Sequence, residues 1–133
     1  MEKTLDFDTL FGERIKVSLE INMYVNNGCL YIGLVEQGDE YPEPYGDMTV
    51  NLEGKAPSYC GYIDTNSMPE LEKFITENDI GEFTGLTKRS GFCEYPLYLF
   101  NVDKLRELCP EGMQMYENTI NKGKVQEAKE KAR

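Results

Sequence analysis

The most constraining feature of this sequence is an alternation of apolar and polar residues over positions 14–25. A period of two places every apolar side chain on one face of an extended chain. The segment therefore predicts an antiparallel strand with one buried face. The apolar positions are Ile15, Val17, Leu19, Ile21 and Met23, and the polar positions between them are Lys16, Ser18, Glu20 and Asn22.

Turns on both sides of this strand predict a meander. Gly12 separates it from a similar alternating run at 4–11, and an Asn-Asn-Gly triplet at 26–28 separates it from an apolar run at 29–35. Asparagine and glycine tolerate the positive φ that tight hairpin turns require. The first three strands are therefore expected to be joined by hairpins.

Three more strands are predicted later in the chain, at 47–52, 59–63 and 95–100. The last of these contains Pro96, which has no N–H to donate to a neighbouring strand. We therefore place it at a sheet edge or at the start of a strand.

A helix is predicted after the fifth strand. Ser67 and Glu70 match a capping box, in which each side chain accepts a hydrogen bond from an otherwise unpaired backbone N–H. Leu71, Phe74 and Ile75 then form an apolar stripe at helical spacing.

A shorter helix is predicted at 102–108, with Asn101 as its N-cap and Pro110 as its stop, and a weaker helical pattern follows. Together the patterns predict the α+β class. The expected fold is a twisted antiparallel sheet, a meander of five to six strands, packed with the main helix and a C-terminal helical segment.

Charge separates the body of the chain from its end. Residues 1–121 carry 9 basic and 22 acidic residues, whereas residues 122–133 carry 5 basic and 2 acidic residues. The chain length of 133 residues fits one domain. We therefore predict a single domain at 1–121 and a basic tail at 122–133 that forms a frayed helix.

The strongest functional signal is an acidic stretch at 36–53 that holds six carboxylates and no basic residue. Prolines and glycines within it predict an exposed loop at 38–46. Unpaired carboxylates on such a loop attract cationic partners, and tyrosines among them supply contact area. The residues predicted to contact a basic protein surface are Glu36, Asp39, Glu40, Tyr41, Glu43, Tyr45 and Asp47.

Catalysis and metal binding lack their usual residues. The chain contains no histidine, and its four cysteines are too widely spaced for a zinc site. No phosphate-binding loop or serine-nucleophile motif occurs, so no cofactor, metal or enzyme activity is predicted. An enzyme using Asp64 or Cys93 is kept as a distant alternative.

Direct nucleic-acid binding is disfavoured because the chain has 24 acidic and only 14 basic residues, which gives a net charge of −10. Carboxylates on a rigid sheet can instead imitate the charge of a nucleic acid and occupy a protein's binding groove. A simpler reading is that the acids only keep the protein soluble. No secretion signal or membrane span is recognised, so a cytoplasmic protein is expected.

Three stretches are distinctive in combination: MTVNL at 48–52, YIDTNSMPE at 62–70 and SGFCEYPLYLF at 90–100. They resemble an uncharacterised domain-of-unknown-function family carried on conjugative transposons and other mobile elements of Gram-positive gut bacteria. The resemblance spans about residues 5–108 and implies no active site. It implies a context in which small acidic proteins look like accessory or anti-defence factors, including anti-CRISPR inhibitors.

The leading hypothesis is therefore a non-enzymatic, protein-binding accessory factor of a mobile element, such as an inhibitor that occupies the cationic groove of a CRISPR nuclease. The alternative is a structural or scaffold subunit of a conjugation apparatus. In that case the strand at 95–100 would be an exposed edge that adds to a partner's sheet.

Overall fold

Two antiparallel sheets and three helices form the fold in the computed structural model, which describes the backbone of residues 3–131 and the side chains of residues 3–121. The first sheet holds four strands in chain order: β1 (Leu5–Asp8), β2 (Arg14–Met23), β3 (Leu30–Gln37) and β4 (Pro42–Asp47). The second sheet holds four more: β5 (Thr49–Val50), β6 (Cys60–Ile63), β7 (Gly81–Ser90) and β8 (Cys93–Phe100). The helices are α1 (Leu71–Glu77), α2 (Val102–Leu108) and α3 (Pro110–Lys131).

The predicted α+β class with antiparallel strands is confirmed. The meander continues through β4, and the chain then enters a second sheet with the spatial order β5-β6-β8-β7. The predicted basic tail at 122–133 lies outside the residues whose side chains are described, while its backbone is helical as far as Lys131.

The alternation in β2 sets the register of the first sheet. Leu19 pairs with Leu34, and Ile21 pairs with Ile32 across the β2–β3 ladder. These four side chains are at most 6% exposed, so they form the sheet's contribution to the core. Gly28 in the turn between β2 and β3 has φ +71°, which is the positive φ predicted for this turn.

The loop predicted at 38–46 is partly wrong, because Pro42–Asp47 form strand β4 beside β3. Prolines are tolerated on an edge strand. Pro42 and Pro44 are two residues apart, so both can direct the position of the missing N–H away from β3. The register also shifts between Leu34 and Val35, a bulge that accommodates the irregular strand.

The position predicted for residues 95–100, at a sheet edge or at the start of a strand, is also wrong, because Pro96 is the fourth residue of an interior strand. These residues belong to β8, which pairs with β6 on one side and with β7 on the other. Pro96 fits there because the β6 ladder involves only Leu97, Tyr98 and Leu99 of β8. Leu97 is 4% exposed, so its side chain belongs to the interior of the protein.

The predicted capping of α1 by Ser67 is wrong, whereas the predicted capping of α2 is confirmed. Asp64 Oδ1 accepts a hydrogen bond from Ser67 N at 3.2 Å, and α1 begins only after Glu70, which makes no side-chain capping bond. In α2, Asn101 Oδ1 accepts a hydrogen bond from Lys104 N at 3.3 Å.

An ion pair fastens α2 to α3. Arg106 donates to Glu117 through Nε at 2.8 Å and through Nη2 at 2.6 Å, in the fork geometry that favours arginine. The hydrogen bond from the Arg106 guanidinium holds the pKa of the Glu117 carboxyl below its usual 4.5. The charged form of Glu117 is therefore favoured by folding.

Replacing Glu117 with glutamine should lower the melting temperature at neutral pH, because the charged partner of Arg106 is lost. A carboxyl whose pKa is lowered by folding stabilises the protein above its ordinary pKa, and that contribution fades as the pH falls through the folded-state pKa. The difference in melting temperature between the native chain and Glu117→Gln should therefore be constant above pH 4.5 and shrink below it. A difference that stays unchanged in acid would contradict this assignment.

Candidate functional site

The predicted contact residues lie on one β-hairpin, which we call the acidic hairpin and define as residues 36–47. It comprises the end of β3, the connection at 38–41 and all of β4. The β3–β4 ladder pairs Glu36 directly with Glu43. Like charges directly opposite each other destabilise a sheet, so we expect this pair to lower the stability of the isolated protein.

The carboxylates of the acidic hairpin are not neutralised within the described side chains. None of the ion pairs formed among residues 3–121 involves Glu36, Asp39, Glu40, Glu43 or Asp47. Glu36 is partly buried, because it pairs with the buried Val17 of β2 and lies on the same face of the sheet. The other four carboxylates are exposed. The hairpin therefore presents its negative charge to solvent.

Most of the predicted contact residues surround one concavity. It has a volume of about 330 Å³ and lies where β3 turns into β4. Such a volume can admit the end of one long side chain, and carboxylates around it favour a cation. The lining residues are Glu36, Gly38, Asp39, Glu40, Tyr41 and Glu43.

The two predicted tyrosines differ in their surroundings. Tyr41 lines the concavity and is 62% exposed. Tyr45 instead packs its ring edge against Phe7, with 5.4 Å between ring centroids, and lies outside the concavity lining. Partial burial, together with nearby carboxylates of which Glu70 acts most strongly, raises the pKa of Tyr45. Tyr41 is therefore the tyrosine available as an anchor.

Asp47 is also separate from the concavity. Its Oδ1 accepts a hydrogen bond of 2.7 Å from the hydroxyl of Tyr31. Burial, followed by this hydrogen bond to Asp47, raises the pKa of Tyr31. Asp47 therefore helps to hold β4 against β3, in addition to contributing negative charge.

Sequence reasoning did not identify the neighbours that the fold brings to the hairpin. Glu13 and Glu70 lie within electrostatic reach of Tyr45, and the backbone N–H of Leu10 donates to Glu70 Oε2 at 3.2 Å. Phe11, in the same β1–β2 turn as Leu10, is 93% exposed. The signal that could have suggested this turn is an aromatic residue beside the turn glycine.

The residues that the structure describes contain no group of three or more histidine, cysteine, aspartate or glutamate side chains arranged to hold a metal ion. Asp64 stabilises the turn before α1, where its Oδ1 accepts the hydrogen bond from Ser67 N.

Within the described part of the chain, no helix combines the length and the apolar character needed to cross a membrane.

Comparison with known families assigns most of this structure to one domain type. The profile of the family described as a domain of unknown function, DUF4313, matches residues 18–120. The chain belongs to the DUF4313 family. The predicted resemblance to an uncharacterised domain-of-unknown-function family is confirmed to this extent. No curated protein and no solved structure matches the chain.

The matched region of this DUF4313 chain contains the acidic hairpin and the whole second sheet. It begins within β2 and ends within α3. The hairpin is therefore part of the domain and not an appendage to it.

Proposed function

We propose that this DUF4313 chain is a non-enzymatic accessory factor that binds a basic protein surface through its acidic hairpin. The observation that carries the proposal is the direct pairing of Glu36 with Glu43, without an ion pair to either carboxylate among residues 3–121. A repulsive pair lowers the stability of the free protein. An arginine or lysine of a partner would relieve that repulsion on binding.

The surroundings of the pair support a cationic partner. Asp39 and Glu40 extend the negative charge around the concavity, and Tyr41 offers an exposed ring that can stack on a guanidinium group. The net charge of −10 would further accelerate association with a basic surface at low salt.

The more specific part of the proposal concerns the partner. We propose that the partner is a host defence protein with a cationic nucleic-acid groove, such as a CRISPR nuclease, and that the chain serves a mobile element in the cytoplasm. Support comes from the acid excess and from the resemblance to families of mobile elements. In such a complex the carboxylates of the hairpin would occupy sites that otherwise bind phosphates.

The proposal is tested by measuring binding to a panel of purified, guide-loaded CRISPR nucleases from Gram-positive gut bacteria. We expect the double variant Glu36→Lys/Glu43→Lys to weaken binding by at least about 100-fold, because attraction at the centre of the contact becomes repulsion. Raising the salt concentration should weaken binding of the native chain, and a DNA target should compete with it.

The matched control is the double variant Glu53→Lys/Glu111→Lys, which changes the net charge by the same amount outside the acidic hairpin. Both acids are exposed, and neither forms an ion pair among the described side chains. This control should bind within a few-fold of the native chain. Equal binding after charge reversal at Glu36 and Glu43 would remove the hairpin from the interface, and absence of DNA competition would refute a groove-blocking role.

A neutral substitution separates repulsion within the free protein from attraction to the partner. Glu43→Gln should raise the melting temperature of the free protein, because it removes the repulsion with Glu36. It should still weaken binding, because it also removes one charged contact. A variant that melts no higher than the native chain would show that the pair is not repulsive in the free protein.

A further inference from the structure

The edges of the two sheets differ in how they are protected against pairing with another chain. Among the described strands, β1 is 4 residues long, β5 is 2 residues long, and β4 contains Pro42 and Pro44. β7 is an edge strand of 10 residues without proline. Short length or proline protects the other three edges against strand addition, whereas β7 carries only charged residues and a central irregularity as protection. Unlike short length or proline, charges can be matched by opposite charges on an added strand.

The hairpin of β7 and β8 also exposes apolar side chains. Phe83 and Leu86 on β7 are 49% and 63% exposed, Leu99 on β8 is 41% exposed, and Phe92 at the hairpin turn is fully exposed. Phe83 and Leu99 lie on opposite faces of the hairpin, because their ladder pairs are consecutive, so the apolar groups flank the free edge of β7 on both sides. This edge belongs to the second sheet, whereas the acidic hairpin belongs to the first.

We propose that β7 pairs with β7 of a second copy of the chain, antiparallel and related by a two-fold axis at Gly85. The ladder between β7 and β8 is irregular between Phe83 and Thr87, so residues 84–86 leave the regular pairing. A two-fold axis at Gly85 sets the two irregular segments opposite each other. Any other symmetric register sets at least part of each irregular segment against a regular one, which lengthens the interruption of the ladder.

The same register brings opposite charges together. Pairing about Gly85 puts Glu82 of each copy opposite Lys88 of the other. Glu82 pairs with Leu99 and Lys88 with Tyr95 in the ladder to β8, and Leu99 and Tyr95 are four positions apart. Glu82 and Lys88 therefore lie on the same face of the sheet, as a cross-strand pair requires.

Lys88 would change its contacts on dimerisation. In the free chain its Nζ contacts the carbonyl oxygen of Glu53 and lies 5.9 Å from the centre of the Tyr62 ring, so the side chain extends over β8 toward β6. Neither group neutralises its charge, and a change of rotamer would turn the amine outward to Glu82 of the second copy. Phe83 would lie opposite Thr87 and Arg89 opposite Gly81, which joins no like charges. The dimer is then isologous, with both copies using the same strand and continuing one sheet across the axis.

The experiment is sedimentation of the full chain over a wide concentration range. We expect a reversible equilibrium between monomer and dimer. Glu82→Lys and Lys88→Glu should each raise the dissociation constant by about tenfold or more, because two attractive pairs become repulsive. A mixture of the two single variants should dimerise as well as the native chain, because one cross-strand pair of the mixed dimer has its charges exchanged and the other is the native pair of Lys88 with Glu82, so both pairs attract.

Controls separate this register from general effects of charge. Lys55→Glu changes the net charge by the same amount as Lys88→Glu, on an exposed loop, and should leave the dissociation constant within about twofold. Leu86→Glu, at an exposed position beside the axis, should also weaken the dimer without impairing folding, which thermal unfolding checks. A chain that stays monomeric at every concentration, or variants that fail to rescue each other, would overturn the proposal. The proposed function uses the other sheet, so its failure would leave this result unaffected.

Discussion

Replacing Gly112 with alanine should destabilise the protein, although the same change within a helix usually stabilises. Gly112 lies in the first turn of α3, and a Cβ at this position would lie 2.9 Å from Ile21 Cβ and closer still to the Ile21 carbonyl oxygen. Helix propensity favours alanine over glycine by about 0.5–1 kcal/mol. Displacing a backbone costs more, so we expect a net loss of about 2–3 kcal/mol in the free energy of unfolding.

Gly112 can approach Ile21 this closely because β1 pairs with only part of β2. β1 pairs with β2 only over Arg14 to Val17, so the rest of this edge of β2 has no neighbour among the strands that the structure describes. α3 packs there and covers the edge, as Gly112 allows. Denaturant unfolding measures the effect, and Gln114→Ala at an exposed position of α3 is the control, with an expected change within about 0.5 kcal/mol. A Gly112→Ala variant more stable than the native chain would refute the close packing.

The parts of the fold that could be predicted are those in which one segment carries its own signal. The alternation in β2 indicates a strand with one buried face, and Asn101 before an apolar run indicates a helix N-cap. β7 had no such signal. Most of its residues are exposed on both faces, so no period of burial could be read from its sequence.

The two misassigned prolines show that the position of a strand within a sheet depends on its neighbouring strands, which its own sequence does not name. A proline is excluded from the middle of a sheet but allowed at its edge, and the sequence of one strand does not state where that strand lies. Pro42 therefore suggested a loop although it lies in an edge strand, and Pro96 suggested an edge although its strand is interior.

The candidate site could be predicted as far as it is contiguous in sequence. Glu36, Asp39, Glu40 and Glu43 fall within eight positions of one hairpin, so their clustering required no knowledge of the fold. The contact of Tyr45 with Phe7 depends on the packing of distant segments. The same holds for the hydrogen bond from Tyr31 to Asp47, which separates Asp47 from the concavity.

A second cluster that local patterns did not identify joins α3 to the start of β6. Tyr59 has φ +64°, a left-handed conformation that is unfavourable for a residue with a side chain. Its backbone N–H donates to the hydroxyl oxygen of Tyr116 at 3.0 Å, and its own hydroxyl donates to Glu117 Oε2 at 2.9 Å. Its carbonyl accepts from Phe100 N at 2.9 Å. These bonds hold the strained residue in place.

Replacing Tyr116 with alanine should therefore be among the most destabilising single changes in this chain. Tyr116 is 2% exposed and packs edge-on against the Tyr59 ring, with 5.7 Å between ring centroids. Removing a buried aromatic ring costs about 3–5 kcal/mol in the free energy of unfolding. Tyr116→Phe keeps the ring and removes the hydroxyl that accepts from the Tyr59 N–H and also hydrogen-bonds the Ser58 side chain, so we expect a loss of about 1–2 kcal/mol. Denaturant unfolding of both variants measures the difference between them. If Tyr116→Phe were as stable as the native chain, the hydroxyl would not be what restrains the backbone of Tyr59.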